Sequence, residues 1–281
     1  MNPRRNLSLL SNRLARNGSR RIPEAVLERD YCLSWFLVGL SRTSLIDILA
    51  FKGGTAIKKC YVPEYRFSED LDFTLRKETT LEKIQERLVA AFKYTMQASG
   101  ITLNISRHDR HPHANSHTFF MGYEGPLPSA TGKEVKVDIT IQEQIVFPIE
   151  MKPILKTYKE YEDLPDDATI GVYSLNEIVS EKIVAIFDSA RNEPRDLYDL
   201  WYLTTNGFVN LADLIGAVEQ KIKFRGRCLE DVREDFSRKE ARLKKLWKTR
   251  LSPQMADLPE FEQVCRGVLR ELRRVGFLEK I

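Results

Sequence analysis

The chain has 281 residues, 42% of them hydrophobic and 30% charged, with a formal net charge of +4. That size fits one large or two ordinary domains, and the composition excludes extended disorder. No apolar run is long enough to span a membrane, and no apolar stretch with a cleavage site follows the basic N-terminus, so a cytoplasmic protein with no membrane partner is expected.

Four scattered cysteines, Cys32, Cys60, Cys228 and Cys265, lack any CxxC spacing and read as reduced thiols with no disulfide partner. Charge is unevenly spread. Residues 1–21 carry Arg4, Arg5, Arg13, Arg16, Arg20 and Arg21 and no acid, and residues 227–250 carry nine Lys or Arg against five acids. Such basic ends fit either local anionic contacts or a solvated face and tail.

In chain order, Pro23 opens a broadly apolar helix over residues 24–40. Helical turns follow over 43–49, then a short apolar strand over 48–52 that ends in Gly53-Gly54-Thr55. A basic helix over 56–61 is broken by Pro63. A strand over 71–75 has Asp70 at its entry. The apolar spacing of residues 81–98 predicts a strong helix that Gly100 ends. Strands follow over 101–106, 117–123 and 134–141, with a fourth over 145–151; their short connections predict antiparallel neighbours. Beyond residue 165 the pattern is helical, over 174–189, 194–205, 211–224, 229–248 and 259–275. Two domains are therefore expected, residues 1–164 and residues 165–281.

Asp70 and Asp72 are two apart on a strand, so both carboxylates face one side and can meet one hard cation, Mg²⁺ or Mn²⁺. Asp138, central in the alternating segment KVDIT, completes a three-carboxylate face if its strand is adjacent. Two-metal phosphoryl or nucleotidyl transfer uses that layout. The Gly53-Gly54 turn lets backbone approach an anion at the start of a helix, where N–H groups attract phosphate. Thr55 adds a hydroxyl, and Lys58 and Lys59 are near enough in sequence to add charge. Arg66 and Ser68 precede the aspartates and would steady a triphosphate or the loop. Lys182 lies near the apolar face of its helix, where it can reach a phosphate or extend to water. Arg195 and Asp199 are spaced as a helix-surface ion pair, and Asp196 sits early in its helix, where the dipole favours an acid. His108, His111, His113 and His117 match no zinc spacing and read as a polar loop. Trp35, Trp201 and Trp247 read as helix-packing residues, and the basic segment 227–250 could guide an RNA backbone.

The segments KGGTAIKKCY and RFSEDLDFT, with ERDYCLSWFL, KVDIT and EKIVAIFDSARNEPRDLYDLW in that order, resemble the AbiEii/AbiGii family of nucleotidyltransferase-like toxins of type IV toxin–antitoxin systems, related to the MenT toxins. The resemblance spans roughly residues 24–205. It implies an α+β fold: a DNA polymerase β-like nucleotidyltransferase domain with a mixed or antiparallel sheet, followed by an all-helical C-terminal part. It implies transfer of a nucleoside monophosphate from an NTP to RNA, in relatives the 3′ acceptor end of tRNA, which blocks translation, and a cognate antitoxin encoded nearby. Gly53, Gly54 and Thr55 match the nucleotide-binding turn, and Asp70 and Asp72 the metal pair. Lys182 matches a phosphate-contacting lysine, and Asp199 or Asp196 a catalytic aspartate. The site would then be completed by residues of both domains. Two other readings are a nucleotidyltransferase acting on a small molecule or protein hydroxyl, and a non-catalytic nucleotide- or partner-binding module of the same fold.

Overall fold

The computed structural model describes residues 4–17, 20–109, 114–128, 131–188 and 190–278, with backbone alone for 229–238. His111 and His113 lie outside these. The chain divides into two units: Met1–Glu143 with Ile149–Tyr173, and Gln144–Pro148 with Ser174–Ile281.

The first unit begins with helices α1 (Arg4–Asn17) and α2 (Glu24–Ser41) and a 3-10 turn at Ser44–Asp47. Strand β1 (Leu49–Lys52), helix α3 (Gly53–Ala56), which continues as a π turn through Tyr61, and strand β2 (Leu71–Leu75) follow. Helix α4 (Leu81–Ser99) then leads into β3 (Thr102–His108), β4 (Ser116–Glu124), β5 (Lys133–Thr140), β6 (Ile149–Pro153) and β7 (Thr169–Tyr173). The strands form one mixed sheet in the order β3-β4-β5-β2-β1-β7-β6. β3, β4 and β5 are antiparallel neighbours, as their short connections require, whereas β2 lies parallel to β5.

One sheet face is apolar: Leu71, Phe73, Val135, Val137, Ile139, Phe119 and Met121 are buried. Helices α2 and α4 pack closely in the same unit. A Cβ at Gly39 would sit 2.6 Å from the Ala91 carbonyl oxygen, and Thr95 donates to the Trp35 carbonyl at 3.1 Å. α2 is buried on nearly all sides, including Glu28, which is paired with Lys133 at 2.7 Å, and Asp30, paired with Lys59 at 2.7 Å.

Three features depart from expectation. The arginine-rich N-terminus is a helix, and Arg13 holds Glu160 by two hydrogen bonds of 2.8 and 2.7 Å. The expected strand over 145–151 begins only at Ile149. The unexpected β7 pairs with it antiparallel, which puts Thr169–Tyr173 in the sheet, and the first unit runs to Tyr173. Residues 144–148 belong to the second unit, because Glu177 accepts from the Val146 and Phe147 N–H groups and the buried Lys221, itself 2.6 Å from Glu177, donates to the Gln144 carbonyl.

The second unit comprises α5 (Leu175–Phe187), α6 (Pro194–Thr205), α7 (Ile215–Phe224), α8 (Leu229–Leu251) and α9 (Phe261–Arg274). Its core includes Trp247, stacked edge-on against Phe261 and donating to the Pro259 carbonyl. In the basic segment 227–250, Lys239 turns inward and caps the end of α5, donating to the carbonyls of Ile186 at 2.7 Å and Asp188 at 2.6 Å, and Lys244 pairs with Glu262. Among the described residues, no helix is long and apolar enough to cross a membrane.

Candidate active site

β1 ends at Lys52, and Gly53 turns the chain with φ of +78°, a left-handed value that glycine adopts without the strain a Cβ brings. Space demands glycine as well. A Cβ at Gly53 would lie 2.5 Å from Asp72 Oδ2, and one at Gly54 would lie 2.5 Å from the Arg66 guanidinium. The turn is therefore pressed between a carboxylate and a guanidinium. Arg66 is buried and also donates to the Phe67 carbonyl at 3.3 Å, and Ser68 is half-buried in the loop before β2.

Thr55 is buried, and its hydroxyl donates to the Asp70 carbonyl at 2.5 Å. That bond ties the turn to the chain just before β2. Lys58 is corrected more sharply. The helix tightens into a π turn over Ile57–Tyr61, and Lys58 is fully buried. Its ammonium donates to the Pro63 and Tyr65 carbonyls and the Tyr158 hydroxyl at 3.0–3.2 Å and lies 4.3 Å from the Phe67 ring centre. All three N–H donors are occupied, and burial pulls its pKa down to about 8. Lys59 is likewise buried against Asp30 and Ser34. Neither lysine presents charge to a nucleotide.

Asp70 and Asp72 are half-buried at the entry of β2. Lys52 on β1 and Asp138 on β5 are both in register with Asp72. Registered partners point to the same face, so Asp138 shares the side of Asp72. Its carboxylate is engaged there. Ser116 and Thr118 of β4 donate to Oδ1, and Lys136, two residues earlier on the same strand, sits 3.1 Å from Oδ2. Burial pushes the Asp138 pKa up, but these hydrogen bonds and the Lys136 charge outweigh it and hold the carboxyl below its ordinary value. Among the described residues, no three Asp, Glu, His or Cys side chains converge on a common metal position, so the expected three-carboxylate cage is not assembled. The oxygen donors Asp70 and Asp72 still suit Mg²⁺, which is commonly held by one or two carboxylates together with substrate phosphates rather than by a protein cage.

The other expected residues lie in the second unit. Lys182 on α5 reaches Asp196 at 2.6 Å and Asp199 at 2.9 Å, both on α6, and Arg191 donates to Asp196 at 2.7 Å. Pro194 starts α6, which places Asp196 in its first turn. Burial opposes ionisation of Asp196, but the Lys182 and Arg191 charges and hydrogen bonds prevail and hold its carboxyl well below the ordinary range. Asp199 is fully buried against Lys182 rather than on the helix surface, and Arg195 contacts Glu193 at 3.3 Å. These carboxylates and cations form one ion-pair cluster.

Sequence reasoning passed over Lys52, Lys136, Ser116 and Thr118. The first two were readable: Lys52 directly precedes the glycines, and Lys136 shares the face of Asp138 by strand alternation. Ser116 and Thr118 needed the β4–β5 register.

A comparison with curated proteins found no match. A solved structure, MenT4, a nucleotidyltransferase toxin from Mycobacterium tuberculosis H37Rv, is similar in fold, with a TM-score of 0.64 at 17% identity over 96% of this chain and 88% of that one. The family model for the nucleotidyl transferase AbiEii toxin of type IV toxin–antitoxin systems matches residues 35–266, which include the glycine turn, Asp70, Asp72, Asp138 and the Lys182 cluster. The chain belongs to that family of nucleotidyltransferase toxins.

Proposed function

We propose that the protein transfers a nucleoside monophosphate from an NTP to the 3′ end of RNA, with tRNA as acceptor, and that a cognate antitoxin encoded nearby restrains it. The observation that carries this reading is the fit of Gly53 against Asp72: a bare Cα at a left-handed turn, with a carboxylate 2.5 Å from where a side chain would begin. That arrangement joins a phosphate-approachable backbone to an oxygen ligand in one rigid unit.

In this reading Asp70 and Asp72 hold Mg²⁺ or Mn²⁺, which when bound offsets charge on the triphosphate and lowers the pKa of the attacking hydroxyl. The Gly53-Gly54 backbone receives a phosphate, and Arg66, against Gly54, supports the turn and its charge. Thr55 fixes the turn to β2 through Asp70. Lys182, in the second unit, matches the family's phosphate-contacting lysine, and Asp196 and Asp199 position it, because both are buried and bonded to its ammonium. The acceptor 3′-hydroxyl attacks the α-phosphorus in line, the P–O bond to pyrophosphate breaks, and the hydroxyl proton leaves to solvent or a site carboxylate.

The test is incubation with each labelled NTP, Mg²⁺ and total tRNA. Label on tRNA that vanishes in Asp72→Ala supports the reading. Label only on protein or a small molecule overturns the RNA acceptor, and failure to bind any NTP overturns the transferase.

A further inference from the structure

The sheet face that carries Asp72 and Asp138 continues across β5 and β4 to the edge strand β3. On that face Phe120 of β4 is in register with Lys136 of β5, two residues from Asp138. The β3–β4 register slips between Ile105 and Arg107, so that Arg107 stands opposite Phe120. Such bulges re-aim a side chain. Here the bulge lays the Arg107 guanidinium on the Phe120 ring, 3.3 Å from its centre. Glu134 of β5 fixes the plane by accepting from Arg107 Nε at 2.9 Å, and Ser106 ties the bulge down through the Phe120 carbonyl at 3.1 Å and Glu134 at 3.2 Å. One face of the guanidinium is covered by the ring, yet the side chain is 49% exposed.

Edge protection accounts for a charge on β3. It does not account for a planar cation seated on an aromatic ring and clamped by a carboxylate. Unpaired bases stack on arginine planes and aromatic rings, and such stacking tolerates any base. Position supports the same assignment. Strand spacing and rise put Phe120 roughly 12 Å from Asp72 along the face, within the span of an extended dinucleotide.

We propose that Arg107, supported by Phe120 and Glu134, is a stacking subsite for an unpaired base of the acceptor RNA close to its reacting 3′ end. The proposal rests on the nucleotidyl-transfer reading and adds the acceptor's binding place. It requires a single-stranded 3′ overhang, because a base inside a duplex has no free face to offer.

The test uses the full chain with Arg107→Lys, which keeps the charge and loses the plane, and Arg107→Ala. The acceptor KM should rise about tenfold in both, with the NTP KM unchanged. A single-stranded RNA oligonucleotide carrying 2-aminopurine near its 3′ end gives a readout free of transfer: its fluorescence should be quenched on binding the wild type and much less by Arg107→Lys. Quenching that depends on Arg107 supports the subsite even if no label reaches RNA, an outcome that instead defeats the transfer reading. Three results would overturn the subsite: a raised NTP KM with unchanged acceptor KM, an Arg107→Lys protein equal to wild type, or no quenching by the wild type.

Discussion

Two groups of aspartates in this protein meet opposite fates. Asp70 and Asp72 are left half-buried at the mouth of β2, with a bare glycine turn against one of them. Asp196 and Asp199 are sunk in the helical unit and paired with Lys182 and Arg191. The residue type is the same, and the environment decides its use. A buried carboxylate needs its cation within the protein, because desolvation is otherwise too costly. A half-buried one carries less of that cost. The second pair therefore holds a lysine in place, whereas the first, against the glycine turn, is the pair proposed above to meet a cation.

The largest expected effect is on the buried cluster. Asp199→Ala leaves Lys182 short of one counter-charge in a site that excludes water, and loss of one partner of such a pair costs about 3–5 kcal/mol. Urea unfolding at neutral pH should show that loss, whereas Asp72→Ala should leave the midpoint nearly unchanged. Equal destabilisation by the two would erase the contrast between the clusters.

Gly53→Ala comes next and strikes the other region. The new methyl would be strained at φ +78° and would press on Asp72 Oδ2. Displacing a substrate-positioning group by about 1 Å costs on the order of a hundredfold in rate. We expect a fall of about that size in nucleotidyl transfer with the fold retained, measured by initial rate and circular dichroism together. Near-normal activity would show that the turn does not set the position of Asp72.

Much of this contrast was legible beforehand. The pair Asp70 and Asp72 follows from a strand period of two, and the alternation VKVDITI placed Asp138 on one face of a strand. Sequence could not show that Ser116 and Thr118 would join Lys136 on the Asp138 carboxylate, because that depends on the β4–β5 register. Lys58 and Lys59 misled for a similar reason: a charged helix reads as exposed until tertiary packing surrounds each ammonium with carbonyl, hydroxyl and carboxylate partners. Arg4–Asn17 looked like a tail because its arginines hid the apolar positions Leu7 and Leu10, both fully buried. β7, five residues with a central glycine, carried too weak an alternation to be seen.

Acidity separates the clusters in a subtler way. Asp196 has its pKa held below the unfolded value of about 3.8. Its contribution to stability is thus fully present above that value and is lost as pH falls through the folded pKa. Denaturant midpoints followed from pH 7 to pH 2 should decline, and Asp196→Asn should flatten the acid limb relative to wild type. An unchanged slope would mean that Lys182 and Arg191 do not hold the carboxylate charged.

The smallest expected effect tests how the glycine turn is tied to the aspartates. Thr55 spends its proton on the Asp70 carbonyl. Thr55→Val keeps the shape and removes one buried hydrogen bond, a loss of about 1 kcal/mol. Thr55→Ser keeps the donor and removes a methyl. If the hydroxyl serves the loop, valine lowers stability by that amount, serine restores part of it, and the NTP KM moves little because the backbone turn still meets the phosphate. If the hydroxyl instead reaches the triphosphate during the reaction, valine raises the NTP KM about as strongly as it lowers stability, and serine restores the KM in full. The two parameters, measured on the same pair of variants, decide whether Thr55 meets the nucleotide or, like Asp196 and Asp199, belongs with the residues that hold another group in place.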